Sequence, residues 1–400
     1  MATAPKYDEF LTRPNIGGLR IPAEDWTYNF GTVLPGVELL PLQQLAETAR
    51  QAVLEDGHLL AYYPPDQGPR DAREFIASTL KKDRGIPLEA DDLLLTNGSL
   101  EAIRLVMYNL INPGDLILAE QHHYQGSLRI FRQFQAEVIG IETDGEGMVT
   151  EGLDKTLRAL QQEGKRPKFI YTIPTFQNPE GTVLPLERRR EVLRLAQEYG
   201  TLVFEDDCYV HERIDHQEVP PAIASLPGAR DWVIYCATFS KVLGPGIRLG
   251  WLTAPEPVLH SMVNWKLSGG NNVLTTSIVC RYLSQFWDQR LAALNGALRS
   301  RRDAMVGALG EHFGELATFR IPAGGMYLWV SFPENVDTAA LLDKAQASGI
   351  RYVPGVQFSP ANRANNYCRL AFAFEDERTI HEGIGMLARL MYKEGVLPLT

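Results

Sequence analysis

Cysteine is scarce in this chain. Only Cys208, Cys236, Cys280 and Cys368 occur in 400 residues, far apart and with no Cys-x-x-Cys pair. That spacing excludes a disulfide framework and a thiolate zinc centre, and it suits a reducing compartment. Basic residues are also in deficit: 39 Lys and Arg stand against 49 Asp and Glu, a formal net charge of −10. Nucleic-acid binders usually carry the opposite, basic footprint, although a local basic pocket stays compatible with the total. No apolar run approaches the roughly 20 residues that a membrane helix needs. Residues 1–9 lack the apolar stretch of a secretory leader. Internal repeats and low-complexity linkers are missing too. The expectation is a soluble cytoplasmic protein with no nucleic-acid, membrane or metal partner.

What the chain does contain is alternation. Short apolar runs over 92–96, 116–119, 169–173, 202–204 and 232–237 read as strands, and helical periodicity covers 100–111, 127–135 and 186–199. Such alternation predicts an α/β fold with a mostly parallel sheet covered on both faces. A chain of 400 residues is long for one core. We therefore expect a large unit over 46–289 and a smaller α+β unit over 1–45 and 290–400. The latter holds a polar helix over 290–313, then Ala323-Gly324-Gly325-Met326 turning into a strand, hairpin-like strands and a last helix.

Ligands of parallel sheets bind beyond the carboxyl ends of the strands, and reactive side chains gather there. The run Thr238-Phe239-Ser240-Lys241-Val242-Leu243-Gly244-Pro245-Gly246-Ile247-Arg248 follows the strand over 232–237. Lys241 is placed to form a Schiff base, while Thr238, Ser240 and Arg248 offer donors and charge to a phosphate. An aldehyde needing an amine and a phosphate needing donors describe pyridoxal 5'-phosphate (PLP). Alone, the run suits equally a strand-to-turn junction with an exposed lysine. Ser99, after Asn97-Gly98, opens a helix whose Ser99 and Leu100 N–H groups can meet the same phosphate, or it is an ordinary N-cap. Glu101 would repel a phosphate and is expected to face away.

Further motifs are Pro174-Thr175-Phe176-Gln177-Asn178-Pro179-Glu180-Gly181, Glu205-Asp206-Asp207-Cys208-Tyr209 and Asn366-Tyr367-Cys368-Arg369-Leu370-Ala371-Phe372. With these in place, the chain resembles the fold-type I, class I/II PLP-dependent aminotransferases, and most of all the α-aminoadipate and kynurenine aminotransferase branch. The resemblance runs from about residue 55 to residue 374. It implies a mostly parallel seven-stranded sheet in the large domain.

It also implies roles for residues. Asp206 would face the pyridine nitrogen, Tyr209 and Asn178 the phenolic oxygen, and Tyr124 the pyridine face. Arg369 would clamp the substrate α-carboxylate, with Arg20 the second choice. Tyr63, or its neighbour Tyr62, would reach the phosphate of a second subunit in a homodimer, with Asn271 and Asn272 on a loop entering that neighbour's pocket. His123 is expected to be a loop imidazole. The reaction implied is a ping-pong transfer of an amino group between an L-amino acid and a 2-oxo acid, with Lys241 moving the proton. Elimination, decarboxylation, cyclisation or oxidation on the same cofactor is the alternative. The N-terminal segment departs from the branch, with residues 29–36 in place of its Gly-Gly-x-Pro. A PLP-sensing regulator would need a DNA-binding domain ahead of the matched region, and the net charge disfavours one.

Overall fold

Short runs of leucine, β-branched and aromatic residues build a seven-stranded sheet in the computed structural model, which describes residues 26–215, 218–266 and 269–398. In chain order the strands are β1 (Leu94–Thr96), β2 (Leu116–Glu120), β3 (Glu137–Ile141), β4 (Phe169–Thr172), β5 (Leu202–Asp206), β6 (Val233–Thr238) and β7 (Gly250–Thr253). Across the sheet the order is β1-β7-β6-β5-β4-β2-β3. Only β7 runs antiparallel, to β1 and to β6; the pairs from β6 to β3 are parallel.

Successive side chains of a strand point to opposite faces, and here they feed separate cores. Ile117, Phe169, Tyr171 and Phe204 pack on one face, while Leu118, Ile170 and Val203 pack on the other. Burying both faces removes the polar alternation of a half-exposed strand, which is why these runs are apolar throughout.

A second, antiparallel sheet has β8 (Thr318–Phe319), β9 (Tyr327–Ser331), β10 (Val353–Pro354) and β11 (Tyr367–Ala371) in the order β8-β9-β11-β10. Beside it, Tyr28–Asn29 pairs in parallel with Ile350–Arg351. The helix expected over 290–313 is longer. It spans Val273–Phe313, 41 residues, because its two halves serve different cores. Val279, Tyr282 and Leu283 pack with Trp251 and Phe239, whereas Leu294, Leu298, Met305 and Leu309 join Met326, Ile380 and Ile384. The division we propose at residues 289 and 290 falls inside this one helix.

Candidate active site

Four strand ends of the large sheet meet at one cavity of about 340 Å³. Lys241, Thr238, Ser240 and Arg248 come from the end of β6, Ser99 and Leu100 from the turn after β1, and Asn178 and Tyr209 from the segments after β4 and β5. Tyr124 and Arg369 complete the set on its wall. Among the expected site residues, Asp206 lies beneath the wall, buried at the tip of β5. Tyr63 stands apart at 92% exposure.

The phosphate-sized end is built by tight turns. Gly98 adopts φ +84°, a conformation that favours glycine, and a Cβ there would lie 2.9 Å from the Arg248 guanidinium. Its absence lets Arg248 donate to the Asn97 carbonyl. The helix Ser99–Leu110 begins at this turn, so its unpaired N–H groups face the cavity beside an arginine. Thr238 Oγ1 lies 2.9 Å from Ser240 Oγ and accepts the Ser240 N–H at 3.1 Å, which holds both hydroxyls at the same corner. The Glu101 carboxylate accepts the Asn97 N–H and is not part of the wall.

At the opposite end the polar groups form one network. Asn178 Nδ2 donates to the Tyr209 hydroxyl at 2.9 Å, and Arg369 Nη1 donates to Asn178 Oδ1 at 3.1 Å. Arg369 Nη2 donates to the Gly31 carbonyl at 2.8 Å. Its guanidinium carbon lies 5.6 Å from the Tyr327 ring centroid and 5.1 Å from that of Phe358. Among the described residues the Arg369 Nε is buried without a hydrogen-bond partner, which leaves a charged donor unsatisfied in the network.

Asp206 accepts from the Tyr171 hydroxyl at 2.8 Å and from Cys208 Sγ at 2.6 Å. Burial pushes its carboxyl up from the usual range against these donors, so a cation placed against it would restore the carboxylate. Lys241 Nζ donates to the Val33 carbonyl at 3.0 Å and sits 5.4 Å from the Tyr209 ring centroid. Burial lowers its pKa from the ordinary value, which favours the neutral, nucleophilic amine.

Several site features escaped the sequence. Gly31, Thr32, Val33 and Leu34 form part of the wall, as does Arg351; only the unusual makeup of residues 29–36 hinted at the first four. His123 stands in a loop, as expected, and outside the cavity wall, but it is not exposed. It is wholly buried, with Nδ1 donating to the Glu120 carbonyl at 3.0 Å, and its ring meets Tyr171 edge-on at 6.1 Å. Burial drives its pKa down to about 4, because the segment after β2 turns inward under the second sheet, where the Phe358 carbonyl takes the His123 N–H. Asn271 is buried and accepts from Lys266 Nζ at 2.8 Å, and Asn272 caps the long helix by accepting the Thr275 N–H at 3.0 Å. Both side chains are therefore engaged within their own chain. Arg20 lies outside the described residues.

The cavity fits PLP: an amine poised by burial, a turn that a Cβ would fill beside Arg248, and a buried carboxylate lacking a cation. The family model for aminotransferase class I and II matches residues 31–387. The chain is 34% identical over 364 residues to aromatic-amino-acid aminotransferase 1 of Thermococcus litoralis, covering 90% of this chain and 87% of that protein. Among solved structures, the α-aminoadipate aminotransferase of Thermus thermophilus, complexed with N-(5'-phosphopyridoxyl)-L-leucine, is similar with a TM-score of 0.86 at 28% identity over 94% of each chain. The kynurenine aminotransferase of Pyrococcus horikoshii has a TM-score of 0.86 at 32% identity, covering 92% of this chain and 91% of that one. Family, fold and cavity agree, and the chain belongs to the class I and II aminotransferases, as a fold-type I enzyme that carries out PLP-dependent transamination.

Proposed function

We propose that this aminotransferase exchanges an amino group between an L-amino acid and a 2-oxo acid by a ping-pong mechanism, with the following division of labour. Bound here, PLP supplies an electron sink for the Cα of the amino acid. Ser99, Leu100, Thr238, Ser240 and Arg248 hold the phosphate, and Asp206 keeps the pyridine nitrogen protonated. Asn178 and Tyr209 hold the phenolic oxygen, and Tyr124 covers the ring face. Arg369 holds the α-carboxylate through a planar fork and turns the Cα–H toward Lys241. Lys241 Nζ takes that proton as general base and returns it as general acid. The observation that carries this reading is the single cavity shared by Lys241, Arg248 and Arg369.

We place the enzyme in the cytoplasm as a homodimer with shared sites. Among the described residues no helix is long and apolar enough to cross a membrane. Leu60, Tyr62 and Tyr63 are strongly exposed on one short stretch, which supports a partner there and Tyr63 as the residue that reaches it. A donor–acceptor screen of the PLP-loaded protein tests the reaction. The expected result is a new amino acid formed from an added 2-oxo acid. Release of ammonia or carbon dioxide, with no new amino acid from any pair, would replace transamination by another outcome.

A further inference from the structure

We propose that Glu311, His312 and His381 bind one divalent transition-metal ion of the zinc type, which clasps the end of the long helix to the last helix of the chain. None of the three lines the active-site cavity, so the site is separate from the chemistry at Lys241. The scarcity of cysteine excludes a thiolate centre but leaves imidazole ligands, which suit zinc, copper, iron and nickel. Zinc accepts a carboxylate beside them.

Glu311 and His312 stand in the last turn of the helix Val273–Phe313, and His381 in the first turns of Glu377–Lys393. One ligating atom from each residue lies within 4.8 Å of the other two. His381 Nε2 donates to Glu311 Oε2 at 3.0 Å, while His312 Nε2 stands 4.0 Å from Glu311 Oε1, beyond a hydrogen bond. The two imidazole rings meet edge-on, with centroids 5.1 Å apart. Ligand atoms about 2.0–2.1 Å from a tetrahedral zinc lie about 3.3 Å from one another, so the two printed separations straddle the spacing an ion needs. Small side-chain rotations reach it, and water closes the fourth position from the solvent side. In the bound form each histidine turns the lone pair of Nε2 to the metal and keeps its proton on Nδ1. Glu311 then exchanges the His381 proton for the ion.

The surrounding fold holds these pieces in place. Leu309 and Phe313 pack with Ile380, Ile384 and Leu387 in one core, which fixes the register between the two helices. The Tyr392 hydroxyl donates to the His312 carbonyl at 3.1 Å and ties the helix ends together. Gly385 lies one turn beyond His381 on the same face, and a Cβ there would come within 2.9 Å of His312 Nε2. Glycine is a poor residue inside a helix; here its bare backbone lets the His312 imidazole lie beside His381. Two further charges, Glu382 and Arg389, share the small cavity with the histidines. The Glu382 carboxylate accepts from Arg378 at 2.8 Å, and Arg389 opposes a cation. The His312 side chain is 23% exposed and that of His381 50%, so an ion reaches the site without any opening of the fold.

The test titrates zinc chloride into the PLP-loaded protein by calorimetry and follows thermal unfolding, with magnesium chloride in parallel. The expected result is one zinc per chain with a dissociation constant below about 0.1 mM and a higher unfolding midpoint. Magnesium, which takes oxygen ligands, should do neither. His312→Gln and His381→Gln should each weaken zinc binding at least about tenfold, as the loss of even an outer-shell partner does, and remove the rise in midpoint. His260→Gln, away from the cluster, should keep both responses. Unfolding midpoints without zinc show that each variant is folded; should His312→Gln fail there, Glu311→Gln takes its place, on a side chain that is 61% exposed. Zinc binding that needs about millimolar metal in the wild type, that survives in His381→Gln, or that magnesium matches would overturn the assignment.

Discussion

Replacing Arg369 by lysine separates a two-point carboxylate clamp from a simple positive charge. In the folded protein two N–H groups of Arg369 are spent on Gly31 O and Asn178 Oδ1. The remaining Nη hydrogens are left for a ligand in the cavity. The guanidinium is also held between the rings of Tyr327 and Phe358, which fixes its plane. A lysine ammonium keeps the charge but cannot serve both protein carbonyl oxygens and two carboxylate oxygens in one plane. At least one charge-assisted hydrogen bond to the substrate is lost, worth about 1.5–3 kcal/mol, or roughly a 10- to 150-fold weaker amino-acid affinity. The assay is the first half-reaction, followed by the change in cofactor absorbance under single turnover as the amino acid is varied. The apparent dissociation constant should rise by that factor. Binding of an amine without an α-carboxylate should move little. An unaltered amino-acid affinity in a folded, PLP-loaded Arg369→Lys protein would place the carboxylate site elsewhere.

Other outcomes follow from the same geometry. Borohydride followed by peptide mapping should mark Lys241, and Lys241→Ala should abolish the label; a mark on another lysine refutes the assignment. Mixing inactive Lys241→Ala with an impaired Tyr63→Ala protein should restore part of the activity if subunits exchange, and a fully active monomer in sedimentation would defeat the shared site. Asp206→Asn should retain the cofactor but slow exchange of the Cα proton by roughly 10²–10³-fold, the scale of losing one preorganised electrostatic partner; unchanged exchange removes Asp206 from the role. His123 titrates near 4 when folded and near 6.5 when unfolded. The unfolded chain therefore binds its proton first, and the stability that neutral His123 contributes above pH 6.5 is lost as pH falls toward 4. Relative to His123→Phe, wild type should lose about 1.4 kcal/mol per pH unit across that window, read from urea midpoints; a pH-independent difference between the two proteins would show that His123 is not buried neutral.

Much of this protein was legible in the residue order, and the legible parts are local. A strand that must be buried on both faces is apolar along its length, so β2, β4, β5 and β6 announce themselves. What happens at a strand end is decided within a few residues, so Asn97-Gly98-Ser99, Asn178, Asp206 to Tyr209 and Thr238 to Arg248 carry their chemistry in their spacing. Tertiary packing decided the rest. The edge strand β3 is only partly buried and carries a glycine, and β7 opens on a glycine straight after the Pro245–Arg248 turn; each is a strand because a neighbour pairs with it. The long helix crosses residue 290 because two separate cores each bury one half of it. His123 is a loop residue, but nothing near it in sequence reveals its burial, because Tyr171 and the Phe358 segment that close over it are distant in the chain. Arg351 and Gly31, far apart in the chain, become one wall only through the pairing of Tyr28–Asn29 with Ile350–Arg351. Local turns determine which atoms stand at a strand end, but only long-range contacts determine which charges share a cavity.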